Sequence, residues 1–273
     1  MAPLLCLLAS VAPAWAQADP WDALEDDQPH ASVRLLAPYN AIAPGSEFML
    51  ALSFDIEEGW HIYWDGKNDS GFPVGVNLKL PEGFTARPML WPGPTRKIMP
   101  GDILDHVYKR EATLLIPIQA PTDLKGVNAV EISASVEWLV CETYCIPESD
   151  EVSLTLPVVS TSEQMTPSRD AQFIKRALVH IPTELTAKTR GVAMVWEGDQ
   201  LVIRAENASE ILFYPKADCP DLIDPIADAV VEGDELRLRF DPEGEESQVR
   251  GVIEVRRTNQ RRPGLYELST PRP

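Results

Sequence analysis

Basic residues are scarce: 24 Lys and Arg stand against 42 Asp and Glu, for a formal charge of −18. So acidic a surface repels phosphate backbones and anionic lipid, and no basic run offsets it, so nucleic acid is not an expected partner. Glycine, at 15, is outnumbered by proline, at 25. Proline suits strand edges and turns and breaks helices, so few long helices are expected. Beyond residue 16 no apolar run approaches the roughly 18 residues of a membrane span, which argues against stable membrane insertion. There is no G-x-S-x-G, no H-E-x-x-H and no glycine-rich phosphate loop, which removes the common hydrolase, zinc-protease and nucleotide-binding readings. Aromatics make up only 7% of the 273 residues, yet 44% are hydrophobic, ample for a folded chain of one large or two small domains.

The first sixteen residues, MAPLLCLLASVAPAWA, carry no charged side chain and end in a small-x-small pattern. Residues 1–16 read as a secretory signal peptide cut before Gln17, although the usual basic start is missing. The mature chain is expected to be exported and soluble, and to meet an oxidising compartment. Residues 17–31 are acidic and aperiodic and read as a flexible leader. Cys6 leaves with the signal, so Cys141, Cys145 and Cys219 remain. Three is odd, so at least one cannot pair within the monomer.

Period-two alternation follows. Phe48, Leu50, Leu52 and Phe54 share one face of 47–54, and Val74, Val76, Leu78 and Leu80 one face of 74–80. In 129–138 the set is Val130, Ile132, Ala134, Val136 and Trp138, and in 152–158 it is Val152, Leu154, Leu156 and Val158. Such patterns mark half-buried antiparallel strands, and several with Pro/Gly turns between them suggest a β-sandwich over 32–160. Thr166-Pro167, followed by Ala171, Ile174, Ala177 and Leu178 and closed by Pro182, predicts a helix over 166–180 within a linker at 161–187. Strand patterns resume at 192–196, 201–205, 211–214, 235–240 and 252–255. They predict a second, smaller β-sandwich over 188–273, near the lower size limit for a self-sufficient core and leaning on the first unit.

The informative stretch is WLVCETYCIPE (138–148), directly after the best strand pattern. Parity puts Trp138 and Val140 on the core face and turns Cys141 away, where a partner thiol can reach it. Cysteines four apart can bridge if the residues between them turn. The loop is so small that the bridge contributes about 2 kcal/mol by chain entropy. A small exposed disulfide is of the labile kind. On spacing alone the pair reads equally as a strand-end staple, and capture of a soft metal such as Cu(I) by two thiolates stays open. Of the neighbours, Glu142 and Glu148 are close in sequence, and His106, Asp102 and Asp105 are candidates to tune the thiols. His61 reads as a strand histidine, and Trp60, Tyr63, Trp64 and Trp91 as core rather than a ligand groove. Cys219, in a turn-like ADCPD segment, reads as an unpaired thiol or a dimer contact.

WHIYW (60–64), DSGFPVGVNLKLPEGF (69–84), WPGP (91–94) and WLVCETYCIPE (138–148) together resemble the N-terminal periplasmic domain of the thiol:disulfide interchange protein DsbD, and more closely its relatives in the suppressor-of-copper-sensitivity branch. The likeness covers about 30–160 and continues more weakly through EILFYP (210–215). It implies an all-β chain: an immunoglobulin-like antiparallel sandwich, a linker helix and a second, smaller sandwich, in the periplasm. It further implies that Cys141 and Cys145 are the exchanging thiols. They would take electrons from a membrane-embedded donor and pass them to thioredoxin-like periplasmic proteins, with no cofactor and no metal. A cap loop would shield the pair, its match lying within 99–108. The family's membrane and C-terminal thioredoxin-like domains have no counterpart in this sequence, so it is expected to act as a separate module. The competing reading is a non-catalytic scaffold for cytochrome maturation or copper handling.

Overall fold

The computed structural model describes residues 28–273. The signal peptide and nearly all of the acidic leader therefore lie outside the described residues.

The first unit has ten strands: β1 (Ala31–Leu36), β2 (Glu47–Ile56), β3 (His61–Tyr63), β4 (Gly75–Lys79), β5 (Thr85–Ala86), β6 (Thr95–Met99), β7 (Ile103–Tyr108), β8 (Glu111–Gln119), β9 (Ala129–Cys141) and β10 (Cys145–Pro157). One sheet runs β1-β2-β8-β5, the other β10-β9-β3-β7-β6 with β4 also on β9. Every pairing in them is antiparallel. The alternating sets read from the sequence face each other across this sandwich. Phe48, Leu50, Leu52 and Phe54 meet Val130, Ile132, Ala134, Val136 and Trp138 in one core. Val76, Leu78 and Leu80 pack at its margin, half-buried.

Most of the outer face of the first sheet is not open water either. Leu36, Ala51 and Leu115 are buried there beneath Ile174, Phe173 and Ala177 of the helix α1 (Ala171–Ala177). The helix is shorter than the predicted 166–180. Thr166 and Pro167 are engaged elsewhere: the Asn40 backbone N–H donates to the Thr166 carbonyl at 2.9 Å, and Pro167 bridges to Tyr39. Asp170 takes the N-cap position instead, and a 3-10 turn at Leu178–His180 ends the segment. What reads as a linker is thus a packed lid on the first sheet, and burial of its apolar face stabilises a helix too short to form alone.

The second unit comprises β11 (Thr183–Glu184), β12 (Val192–Glu197), β13 (Gln200–Ala205), β14 (Glu210–Pro215), β15 (Val230–Val231), β16 (Glu235–Arg239), β17 (Gln248–Arg256) and β18 (Gly264–Pro271). They form a five-stranded sheet β11-β18-β17-β14-β15 and a three-stranded sheet β12-β13-β16 around their own core. The unit leans on the first: Leu212, Tyr214 and Val252 belong to the first unit's core cluster. Tyr214 meets Trp64 and His106 edge-on at 6.2 and 5.5 Å. Lys216 donates to Asp65 at 2.9 Å, Lys67 pairs with Asp221, and Arg96 donates to the carbonyls of Pro225 and Ile226. Gly66 sits where the units touch, and a Cβ there would lie 2.6 Å from the Pro215 carbonyl oxygen.

Candidate functional site

Cys141 ends β9 and Cys145 begins β10, and the two are directly opposite in the hairpin register. Glu142, Thr143 and Tyr144 form the connecting turn, with the Glu142 N–H on the Tyr144 carbonyl at 3.1 Å. The sulfurs are joined as a disulfide. The turn residues are exposed, Tyr144 to 55%.

Strand parity assembles the surroundings. Cys141 is opposite Cys145 on one side and His61 on the other. Tyr63 is opposite Val107, and Asp105 opposite Lys97. Side chains of opposed residues share a face, and residues two apart on a strand share it too. Cys141, His61, Tyr63, Val107, Asp105 and Lys97 therefore line one patch on the outer face of the second sheet. Tyr63, Val107, Leu139 and Cys141 make a small apolar cluster of their own there.

Cys141 does turn away from the main core, as parity required. It is nevertheless 3% exposed, which corrects the expectation that a partner thiol can reach it. The sequence pattern of one strand reports which way a side chain points and not what lies over it. Cys145 is the exposed residue of the pair.

The Tyr63 hydroxyl lies within hydrogen-bond reach of both Cys141 Sγ and Ser70 Oγ, at 3.1 Å from each, and 3.8 Å from Cys145 Sγ. Ser70 in turn donates to Asp105, a carboxylate with no exposure, which also receives the N–H groups of Asp69 and Ser70 at 2.9 and 3.0 Å. Gly71 lies flat on the Tyr63 ring: a Cβ would fall 2.1 Å from Cζ, so any other residue would displace the phenol. Burial raises the Tyr63 pKa, so its hydroxyl stays protonated near neutrality. His61, 1% exposed, is pulled down to about 4 by burial and then by Lys97, whose Nζ lies 3.1 Å from Nδ1. It is neutral at pH 7 and accepts from the ammonium. Burial also lowers the Lys97 pKa.

The other candidates sort cleanly. Asp105 reaches the pair through Ser70. His106, one residue on, points to the opposite face, where Nδ1 meets the Lys67 carbonyl and the ring meets Trp64 and Tyr214. Burial holds it at about 4. Asp102 sits in the β6–β7 turn with φ +60°. Glu148 accepts from Trp138 Nε1 and from the N–H groups of His30 and Ala31, tying the start of β1 to β10 instead of tuning a thiol. Trp60, Tyr63 and Trp64 are buried, and only Tyr63 touches the pair. Cys219, with no exposure, is a free thiol inside the second core, and burial pushes its pKa up to about 12. That removes the dimer-contact reading. Of the expected cap segment 99–108, Val107 packs in one small cluster with Cys141, Tyr63 and Leu139, while Asp105 meets Ser70. No group of three or more His, Cys, Asp or Glu among the described residues is arranged to hold a metal. No helix among them is long and apolar enough to cross a membrane.

The fold and site define an immunoglobulin-like sandwich that carries a cystine on the hairpin at its end. The particular match is to the family described as "Thiol:disulfide interchange protein DsbD, N-terminal", whose model covers residues 32–157. That segment is DsbD N-terminal-like, as its motifs suggested. Among solved structures, the N-terminal periplasmic domain of ScsB from Proteus mirabilis is similar at a TM-score of 0.57 and 14% identity, over 91% of this chain and 96% of that one. At that identity the likeness is one of fold, and it extends over both units. The reduced DsbD N-terminal domain of Neisseria meningitidis aligns at 13% identity over 54% of this chain and 98% of that one, with a TM-score of 0.27. No curated protein sequence matches the chain.

Proposed function

We propose that the chain is a thiol–disulfide interchange module whose working bond is Cys141–Cys145, acting in the periplasm between a membrane-embedded electron donor and thioredoxin-like acceptors. The observation that carries this reading is the asymmetry of the cystine. Cys145 is exposed beside the turn, and Cys141 is buried within reach of the Tyr63 hydroxyl.

Exchange needs an in-line attack on one sulfur and departure of the other as a thiolate. A donor thiolate reaches Cys145 Sγ, forms the mixed disulfide, and breaks the bond to Cys141, which leaves as a thiolate beside the Tyr63 hydroxyl. The donor's second thiol loses its proton to solvent and attacks the donor sulfur of the mixed disulfide, releasing Cys145. Two electrons have entered the pair, and the donor is now oxidised. In the forward half, the Cys145 thiolate attacks an acceptor disulfide, and Cys141 then attacks Cys145 Sγ, recloses the bond and frees the reduced acceptor. No cofactor takes part. The acidic surface favours partners with a basic face around their own cysteines.

Trapping tests the assignment. Cys141→Ser leaves Cys145 as the lone thiol of the hairpin, and its thiolate attacks a thioredoxin-like protein whose single cysteine is supplied as a thionitrobenzoate mixed disulfide, releasing thionitrobenzoate and leaving a stable protein–protein disulfide. Cys145→Ser traps none. Equal trapping by both variants, or by neither, overturns the assignment. A scaffold with a static staple draws support from the burial of Cys141. It requires that partner binding survive in both variants with no trapped species.

A further inference from the structure

We infer that Tyr63 is a switching hydrogen-bond donor for Cys141, set by Ser70 and Asp105. When the disulfide is closed its proton lies on Ser70 Oγ, and when Cys141 leaves as a thiolate the proton turns onto sulfur. This rests on the redox reading above and assigns it three residues that the cysteine motif does not contain.

Count the protons. Asp105 accepts the Asp69 and Ser70 N–H groups on Oδ1 and the Ser70 hydroxyl on Oδ2, so the Ser70 proton is committed to it. Ser70 Oγ is left as an acceptor. The phenol of Tyr63 has a single proton and two acceptors at equal reach, Ser70 Oγ and Cys141 Sγ, both at 3.1 Å. A disulfide sulfur is a weak acceptor, so in the closed state the hydroxyl oxygen wins. A thiolate is an ionic acceptor, and bonds to it are about twice as strong as neutral ones, so in the open state sulfur wins. The change requires only a rotation of the O–H bond. Gly71 and the strand pairing of β3 hold the phenol in place for both positions. The carboxylate is held by the Asp69 and Ser70 N–H groups, so the frame does not depend on the cysteines.

Tyr63 touches a reacting atom and is a catalytic residue in this scheme. Ser70 and Asp105 act through it and are positioning residues. The charged or titratable groups facing this patch are Asp105, Lys97, His61, Lys109 and Glu142. Lys97 and Lys109 favour a thiolate, and Asp105 and Glu142 oppose it.

Opposite signs separate this switch from mere packing. Tyr63→Phe removes the donor but keeps the ring, so the Cys141 thiol pKa rises by about one unit and reduction of the pair slows about tenfold at pH 7. Ser70→Ala removes the competing acceptor, so the proton rests on sulfur in both states, the Cys141 pKa falls and reduction speeds up. Asp105→Asn moves the same way as Ser70→Ala, since it also removes a repelling charge. The measurement is the pH profile of alkylation of Cys141 in reduced protein carrying Cys145→Ser, read by mass spectrometry, together with the rate of reduction of the intact pair by dithiothreitol. Each variant is checked for an unchanged unfolding midpoint. If Tyr63→Phe and Ser70→Ala shift the pKa in the same direction, or if neither shifts it, the switch is wrong. If wild-type protein is not reduced by dithiothreitol while folded, the redox reading itself is wrong.

Discussion

Cys145 and Cys219 are the same side chain in two kinds of place, about as different as one small protein permits. Cys145 stands at the start of an edge strand, exposed, with a bonded partner directly across a hairpin. Cys219 lies in the second core with no exposure and its thiol pushed up to about 12. Desolvation disfavours the thiolate, and the thiolate is the reacting species. Thiol reactivity is therefore decided by position in the sandwich, and on the proposed reading the second unit supplies packing where the first supplies chemistry. Cys141 is intermediate, buried like Cys219 but given a proton donor by Tyr63.

The contrast can be broken most forcefully by alkylation. In reduced, folded protein at pH 8, iodoacetamide should modify Cys145 at least about a thousandfold faster than Cys219, whose thiolate fraction is about one in ten thousand. Unfolding in denaturant should erase the difference. Comparable rates in the folded state would mean that the second core opens readily and that the two sites do not differ as described.

A smaller effect sharpens the same contrast through two histidines. His61 lies beside Cys141 and His106 at the junction of the units, and both are depressed to about 4 by burial. In the unfolded chain each titrates near 6.5. Below that pH the unfolded state takes up the proton first. The stability from holding these rings neutral is thus complete above about pH 6.5 and is lost as pH falls toward 4. His106 contributes about 3 kcal/mol to this loss at most. His106→Asn should flatten the acid limb of a denaturation series while leaving disulfide exchange unchanged. His61→Asn should flatten it and alter exchange as well. An acid limb untouched by either change would contradict the assigned burial.

Much of the fold was legible from alternation alone. The apolar sets of β2 and β9 face each other in the first core, and most prolines fall between strands, although Pro117 and Pro147 lie within β8 and β10. Where the pattern misled, another contact had a stronger claim. The expected N-cap at Thr166 is bonded to the β1–β2 connection, so the helix begins at Ala171 with Asp170 as its N-cap. The strand β18 was invisible because only Leu268 of its eight residues is fully buried. At the site, the cysteines were legible and their neighbours were not. Alternation in WHIYW puts His61 and Tyr63 on the face opposite Trp60, Ile62 and Trp64, but no local pattern gives the register of β3 on β9. That register brings Tyr63 beside Cys141, and a serine from the loop after β3 and a carboxylate from β7 complete the hydrogen-bond chain behind it.

The most direct measurement is the reduction potential of Cys141–Cys145, taken on the folded chain by equilibration with glutathione or dithiothreitol buffers. A bond made to be opened and closed by thioredoxin-like partners should titrate well above about −300 mV, within reach of those partners. A value below that bound, in protein that remains folded throughout, would identify the bond as a staple and contradict the account.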